Sequence, residues 1–292
     1  MEIVVFGSKG QLGRSIMDIS YNYPQHHFLF TDIESLDITQ YDQVSQFVSK
    51  NYPNVFINCA AYTAVDKAQN DVKGAKELNF SAVNNIAKIA AENNIFLVHI
   101  STDYIYDGKQ NRPYRETDNV HPLSVYGRTK WKGEVAVMKS LCRAAIIRTS
   151  WLYSEYGTNF VKTMLHMSAE RDVLKVVSDQ MGTPTYARDL AEAIMQIINQ
   201  KVKIQQTEIF HYSNEGVASW YDFAVEIMRL SKQECKILPV FASQYPTSAK
   251  RPQFSVLNKQ KIKDTFDIEV PYWRESLVKC IANIANMEKT RK

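Results

Sequence analysis

Cysteine is scarce in this chain: four in 292 residues, at Cys59, Cys142, Cys235 and Cys280, with no CxxC pair among them. That spacing offers neither a zinc site nor a disulfide framework, so buried thiols are expected and no metal. No apolar tract approaches the roughly 20 residues that cross a bilayer, which argues against a membrane partner. The opening MEIVVFGSKG reaches its glycines too soon for a secretory leader, and a cytoplasmic protein is expected. Neither sign of charge dominates, since 35 Lys and Arg stand against 31 Asp and Glu for a net charge of +4. The basic residues are dispersed apart from a short tail of Lys289, Arg291 and Lys292, so nucleic acid is not expected as a partner. Repeats, low-complexity segments and a clean domain linker are also missing. What remains is an ordinary globular composition, 45% apolar and 23% charged, long enough for one large α/β domain or a main domain with a smaller companion.

The first half alternates strand and helix. Residues 2–6 (EIVVF) are a short apolar run with β-branched members, followed by Gly7-Ser8-Lys9-Gly10-Gln11-Leu12-Gly13 and a helical pattern to about residue 22. Glycines at such a strand-to-helix turn let backbone N–H groups approach a pyrophosphate, with the helix N-terminus facing the anion. The spacing is Gly-x-x-Gly-x-x-Gly rather than the stricter G-x-G-x-x-G. A second strand, His27–Thr31, ends at Asp32, nineteen positions after Gly13, where a carboxylate would hold a ribose hydroxyl; a turn-capping Asp is the plainer alternative. Asp37 is close enough to share the adenosine end. A third strand, Val55–Cys59, runs into the small-residue turn Ala60-Ala61-Tyr62-Thr63, against which a flat cofactor fits. A long helix is expected from about Val72 to Asn93, then a fourth strand at Ile95–Ser101 and a fifth at Ala144–Arg148.

Ligands of such sheets bind beyond the carboxyl ends of the strands, which directs attention to Ser101-Thr102-Asp103-Tyr104. A loop from Asp107 to Pro122 leads into Tyr126-Gly127-Arg128-Thr129-Lys130, read as the first turn of a helix. There Tyr126 and Lys130, four apart, stand one above the other. An adjacent cation is expected to lower the phenol from its usual value near ~10, making Tyr126 a proton donor for a carbonyl oxygen, with the Thr102 hydroxyl beside it. Taken alone, such a pair is more often an ordinary helix-surface contact. The fold expected is α/β, a doubly wound parallel sheet with a smaller C-terminal α+β part. Residues 1–150, with a return at 186–212, would form the dinucleotide-binding unit; 151–185 and 213–292 would form the substrate-binding part.

With these elements in order, the chain resembles the extended short-chain dehydrogenase/reductase superfamily and, within it, the dTDP-4-dehydrorhamnose reductases. The resemblance runs through Phe6-Gly7 to Gly13, Ala61 to Ala68, Ser101 to Tyr104, Tyr126 to Lys130, Arg148-Thr149-Ser150-Trp151, Asp179-Gln180 with Gly182 and Pro184, and Arg251-Pro252 before Leu257-Asn258. It implies NADPH- or NADH-dependent reduction of the 4-keto group of dTDP-4-dehydro-L-rhamnose, for the synthesis of polysaccharide sugar donors. Tyr126 and Lys130 match catalytic positions, and Thr102 an assisting one. Gly7, Gly10, Gln11, Leu12, Gly13, Asp32, Asp37, Ile38, Ala61, Tyr62 and Thr63 match cofactor contacts, as do Tyr126 and Lys130. Thr102, Asp103 and Trp151 match contacts to the sugar nucleotide; without the resemblance Trp151 reads as a core residue.

Some members dimerise through C-terminal acids that bind magnesium. Here the end reads NMEKTRK, one acid among three cations, so monomer and homodimer both stay open. A competing reading within the superfamily is a sugar-nucleotide dehydratase or epimerase, but Asp103 is followed by Tyr104, not by the glutamate of the dehydratase motif. A second is a non-catalytic subunit resembling the regulatory one of methionine adenosyltransferase, against which the intact Thr102, Tyr126 and Lys130 weigh.

Overall fold

The computed structural model describes residues 1–290, so Arg291 and Lys292 of the basic tail lie outside the described residues. In chain order the elements begin β1 (Glu2–Phe6), α1 (Gln11–Ile19), β2 (His27–Thr31), α2 (Tyr41–Asn51), β3 (Val55–Asn58), α3 (Val65–Ala68), α4 (Val72–Lys76) and α5 (Ala82–Glu92). They continue with β4 (Phe96–Thr102), α6 (Val125–Ser140), β5 (Ala144–Thr149), β6 (Leu152–Tyr153), α7 (Phe160–Ser168), β7 (Val173–Val177), β8 (Met181–Gly182), β9 (Thr185–Tyr186) and α8 (Ala187–Asn199). The last are β10 (Glu208–His211), β11 (Ala218–Ser219), α9 (Trp220–Ser231), β12 (Lys236–Val240), α10 (Gln260–Phe266) and α11 (Trp273–Thr290).

Six strands form one parallel sheet in the order β10-β5-β4-β3-β1-β2. The order reverses between β1 and β3, the switch point where doubly wound sheets open a ligand crevice. The central strands are largely apolar because both faces are covered. Ile3, Val5, Ile57 and Val98 pack with Ile16 of α1 and Leu190 and Ile194 of α8, while Val4, Phe56 and Leu97 pack with Val83 and Ile86 of α5 and Val137 of α6. Each such side chain contributes about 1.5–3 kcal/mol by leaving water. β10 belongs to the C-terminal half in sequence yet pairs in parallel with β5, as Ile209↔Ile146 and Phe210↔Ile147.

A third cluster gathers Tyr153, Val161, Met164, Leu174, Phe223, Ile227, Trp273 and Leu277 away from the sheet. Its strands are short pairs, β6 with β9, β8 with β11 and β7 with β12. No helix among the described residues is long and apolar enough to cross a membrane.

One expected element is divided. The helix read from about Val72 to Asn93 is α4, a π-helical turn at Glu77–Ser81, and α5. The wider turn accompanies a buried Asn79. Its amide donates to the Tyr62 carbonyl (3.1 Å) and to Thr129 Oγ1 (3.1 Å), and its Oδ1 accepts from the Tyr62 N–H (2.9 Å). The irregular turn therefore ties the loop after β3 to α6, as π turns near functional sites often do.

Candidate active site

The glycine turn after β1 is set by close backbone approach. Gly7 has φ +74°, and a Cβ on it would lie 2.7 Å from the Ala60 nitrogen across the switch point. A Cβ on Gly13 would lie 2.4 Å from the Gly7 carbonyl and 2.6 Å from Ser8 Cα. Gly10 caps α1 without a side-chain bond, which leaves first-turn N–H groups for an anion. This cradle, which any side chain would fill, fits a dinucleotide pyrophosphate.

The side chains of Gln11 and Leu12 are committed elsewhere. Gln11 Oε1 accepts from Ser154 Oγ (3.1 Å) and Asn159 Nδ2 (2.9 Å), and Leu12 is buried in the core, so each has a backbone N–H to offer. Ile38 is likewise a core residue. Asp32 terminates β2 and accepts from the Lys9 N–H (2.8 Å) and the Ile33 N–H (2.9 Å), which holds its half-exposed carboxylate beside the glycine turn. Asp37 Oδ1 accepts from Thr39 N (2.9 Å) and Oγ1 (2.8 Å). Ala61 and Thr63 flank Tyr62 in the loop clamped by Asn79; Thr63 is exposed and the Tyr62 hydroxyl donates to Asp71 Oδ2 (3.0 Å).

At the carboxyl end of β4, Thr102 Oγ1 donates to Asp103 Oδ1 (3.1 Å) and accepts from the Tyr104 N–H (3.2 Å). The helix that carries Tyr126 starts where the sequence places it, because Ser124 Oγ accepts from the Gly127 N–H (3.1 Å). Thr102 lies beside Tyr126 and acts to favour its ionised form; yet burial is the larger effect and pushes Tyr126 up to about 12, with the Asp103 charge acting the same way. The expected lowering by Lys130 is therefore corrected. Lys130 is buried and its Nζ donates to the Ile100 carbonyl (2.6 Å), and its own burial brings it down to about 8, opposed chiefly by Glu134. Tyr126 stays protonated across the physiological range, the state a proton donor needs. Asp103 is pushed up to about 7 by burial, against hydrogen bonds from Ser255 and Thr102, and its Oδ2 is buried without a partner.

Beyond this corner opens a cleft of about 760 Å³, lined among others by Tyr104, Phe160, Met164, Gln180, Trp220 and Arg251. Tyr104 joins the two, since its ring meets Tyr126 edge-on with centroids 5.7 Å apart. Trp151 stacks on Trp220 (3.5 Å, 8°), and Phe160 lies 4.7 Å from Trp220 on its other contact. Trp151 adopts φ +46°, uncommon for a bulky residue and of order 1–3 kcal/mol in strain. Arg251 Nη2 binds Asp66 Oδ2 (2.5 Å), and the Ala249 N–H donates to Asp66 Oδ1 (2.9 Å), pinning the basic loop over α3.

The family model described as "RmlD substrate binding domain" matches residues 1–286. This chain belongs to the RmlD family. It is 39% identical to a dTDP-4-dehydrorhamnose reductase of Aggregatibacter actinomycetemcomitans, over 94% of this chain and 96% of that one. A dTDP-4-dehydrorhamnose reductase from Clostridium acetobutylicum superposes with a TM-score of 0.92 at 41% identity, covering 98% of this chain and 100% of that one. The Bacillus anthracis dTDP-4-dehydrorhamnose reductase, solved in complex with NADP, does so at 0.92 and 34%, covering 97% and 99%. Family membership accords with the doubly wound fold and with the reductase resemblance of the sequence.

Arg251, Trp220 and Phe160 are cleft residues that sequence reasoning did not select. Arg251 carried a signal, standing in the basic loop 249–252; the two aromatics sit at helix starts and carry none.

Proposed function

We propose that this protein reduces the 4-keto group of dTDP-4-dehydro-L-rhamnose to give dTDP-L-rhamnose, using NADPH or NADH. The observation that carries the reading is that Thr102 and Tyr126 lie together at the carboxyl end of β4, with the Tyr104 ring touching Tyr126 and lining the aromatic cleft. The reduced nicotinamide, when bound, supplies the hydride. The chain's own groups do the rest. Tyr126 gives its hydroxyl proton to the carbonyl oxygen as that oxygen gains charge, and the Thr102 hydroxyl orients the same oxygen. Lys130 places a cation beneath the site, and Gly7, Gly10 and Gly13 with the N–H groups of Gln11 and Leu12 hold the pyrophosphate. Asp32, Asp37, Ile38 and the loop Ala61-Tyr62-Thr63 border the adenosine and nicotinamide sides.

Residues 1–150 with 186–212 form the dinucleotide-binding unit in this reading. Residues 151–185 and 213–292 form the substrate part, where Trp151 and Asp103 contact the sugar nucleotide. Stacked aromatics and a guanidinium suit a pyrimidine base and a diphosphate. The protein works in the cytoplasm as a monomer or homodimer, without a bridging metal.

The test is loss of reduced-nicotinamide absorbance when the purified protein meets NADPH or NADH and enzymatically prepared dTDP-4-dehydro-L-rhamnose. Substrate-dependent loss, absent in Tyr126→Phe, is expected; no loss with either cofactor rejects the reading.

A further inference from the structure

We propose that Glu134, gripped by Arg148, is a positioning residue that keeps Lys130 cationic and fixes α6 against the carboxyl ends of β4 and β5. The inference rests on the reductase reading for its effect on turnover, but not for its effect on Lys130.

Tyr126, Lys130 and Glu134 follow at four-residue spacing on α6, so they occupy one face of the helix. Lys130 is 2% exposed and Glu134 fully buried. The acceptor of Lys130 is a neutral carbonyl, that of Ile100, which does not by itself offset the burial of an ammonium. A carboxylate one turn on supplies the missing sign, and its charge acts to hold the proton on Lys130.

Glu134 is itself held on both oxygens. Arg148 Nε donates to Oε1 (3.0 Å) and Nη2 to Oε2 (2.7 Å), a bidentate pair, and Ser101 Oγ donates to Oε1 as well. Ser101 and Arg148 are register partners in β4 and β5, one residue before Thr102 and Thr149. Glu134 thus bolts the helix that carries the phenol to the strand that carries the hydroxyl.

The other groups around this cluster leave the task to Glu134. Just after β3, burial holds the Cys59 thiol up, so it stays neutral; from β4, burial takes His99 well below the usual range, and it stays neutral too. Tyr106 Oη accepts from Arg148 Nη1 (2.7 Å) and meets His211 Nε2 of β10 at 2.9 Å. Burial keeps Tyr106 protonated and takes His211 down to about 3, so both are uncharged. Glu116, whose Oε1 accepts from the His211 N–H (3.1 Å) and whose backbone carbonyl accepts from Arg148 Nη1 (3.3 Å), also faces Arg148, and burial raises it. Glu134 is therefore the carboxylate that faces both Lys130 and Arg148, whereas Glu116 acts on Arg148.

The test uses the full chain with Glu134→Gln, which keeps shape and removes charge. Lys130 Nζ titration is followed by NMR of lysine-labelled protein, assigned with Lys130→Arg. The midpoint should fall by about one pH unit, a tenfold change in proton affinity. The basic limb of the kcat profile should move down in pH by the same amount, with KM for the sugar nucleotide within about threefold, and Glu134→Asp should restore the limb. Should Glu134→Gln fail to fold because Arg148 is left unpaired, Glu134→Gln/Arg148→Gln removes both buried charges, and a smaller fall in the Lys130 midpoint is expected, because losing the more distant Arg148 cation acts the other way. An unmoved Lys130 midpoint, or lost stability with the limb in place, overturns the proposal and leaves a structural staple. Inactive wild-type protein would reject the reductase reading, while the NMR midpoint would still decide this one.

Discussion

The two ends of the proposed ligand path are built from different materials. Around Gly7–Gly13 the surface is backbone, shaped by residues that have no side chain, with room removed by a carbonyl 2.4 Å from any Cβ on Gly13. Around Trp151 the surface is side chain: a Trp151–Trp220 stack, Phe160, Tyr104 and Arg251. A backbone cradle recognises what all dinucleotides share, the pyrophosphate. A side-chain cleft recognises what distinguishes one sugar nucleotide from another. In the proposed reaction the chemistry sits between them, on Thr102 and Tyr126, so substitutions should separate into those that disable the junction and those that disable one end.

The largest effect is expected at the junction. Tyr126→Phe removes the proton donor and nothing else of that volume, so kcat should fall by about 10²–10⁴-fold while NADPH affinity and KM hold. Steady-state and binding measurements on one preparation check this; a binding loss matching the rate loss would move Tyr126 from chemistry to cofactor holding. Next is Gly13→Ala. Its Cβ would meet the Gly7 carbonyl and Ser8 Cα, backbone atoms that cannot turn aside. Overpacking of this kind costs about 1–3 kcal/mol, so dinucleotide affinity should fall by about 5–150-fold with a lower Tm. Sugar-nucleotide binding to the variant, followed by calorimetry, should be little changed. Equal losses at both ends would erase the distinction between them.

A third prediction concerns pH. Lys130 falls to about 8 because burial disfavours its charge, so it is cationic below that pH and neutral above it. Tyr126, at about 12, does not change state in this window. If the cation supports the dinucleotide end, NADPH affinity should decline above pH 8, by up to about tenfold per unit, as the Lys130 proton is lost. Fluorescence titrations from pH 6 to 10 would show it. A decline that begins near pH 7 instead would implicate Asp103, raised to about 7.

The same contrast governs what could be read from the chain. Five strands of the main sheet were legible because runs such as EIVVF and IFLVHIS are nearly continuous apolar stretches, and the glycine turn because only glycine fits such close approach. The helix α2 buries only Val44 and Val48, β12 contains Pro239, and α10 has seven residues with Ile262 and Phe266 inward; none has the periodicity that announces an element. At the site, Thr102, Tyr126 and Lys130 stood out because strand end and helix start each mark a position. Trp220, Arg251 and Glu134 are defined by partners 69, 185 and 14 residues away, Trp151, Asp66 and Arg148. Nothing local reports such contacts. The lowering of Tyr126 expected from its spacing to Lys130 failed for a related reason, since spacing gives proximity but not burial, and burial is the larger effect here.

The smallest effect should come from the side-chain end. Gly182 faces the Trp151 indole, where a Cβ would lie 2.6 Å from Cε2 and 2.8 Å from Nε1. Unlike the carbonyl at Gly13, that ring can move, but its freedom is limited by the Trp220 ring stacked 3.5 Å away and by the strained φ of +46° that sets its direction. Gly182→Ala should tilt the pair and cost about 1 kcal/mol in sugar-nucleotide binding, a KM raised about fivefold, with NADPH affinity unchanged. Indole fluorescence should report the tilt independently of turnover. If NADPH affinity dropped with KM unmoved, Trp151 would belong to the cofactor side, and the boundary between the two ends would have to shift past β6.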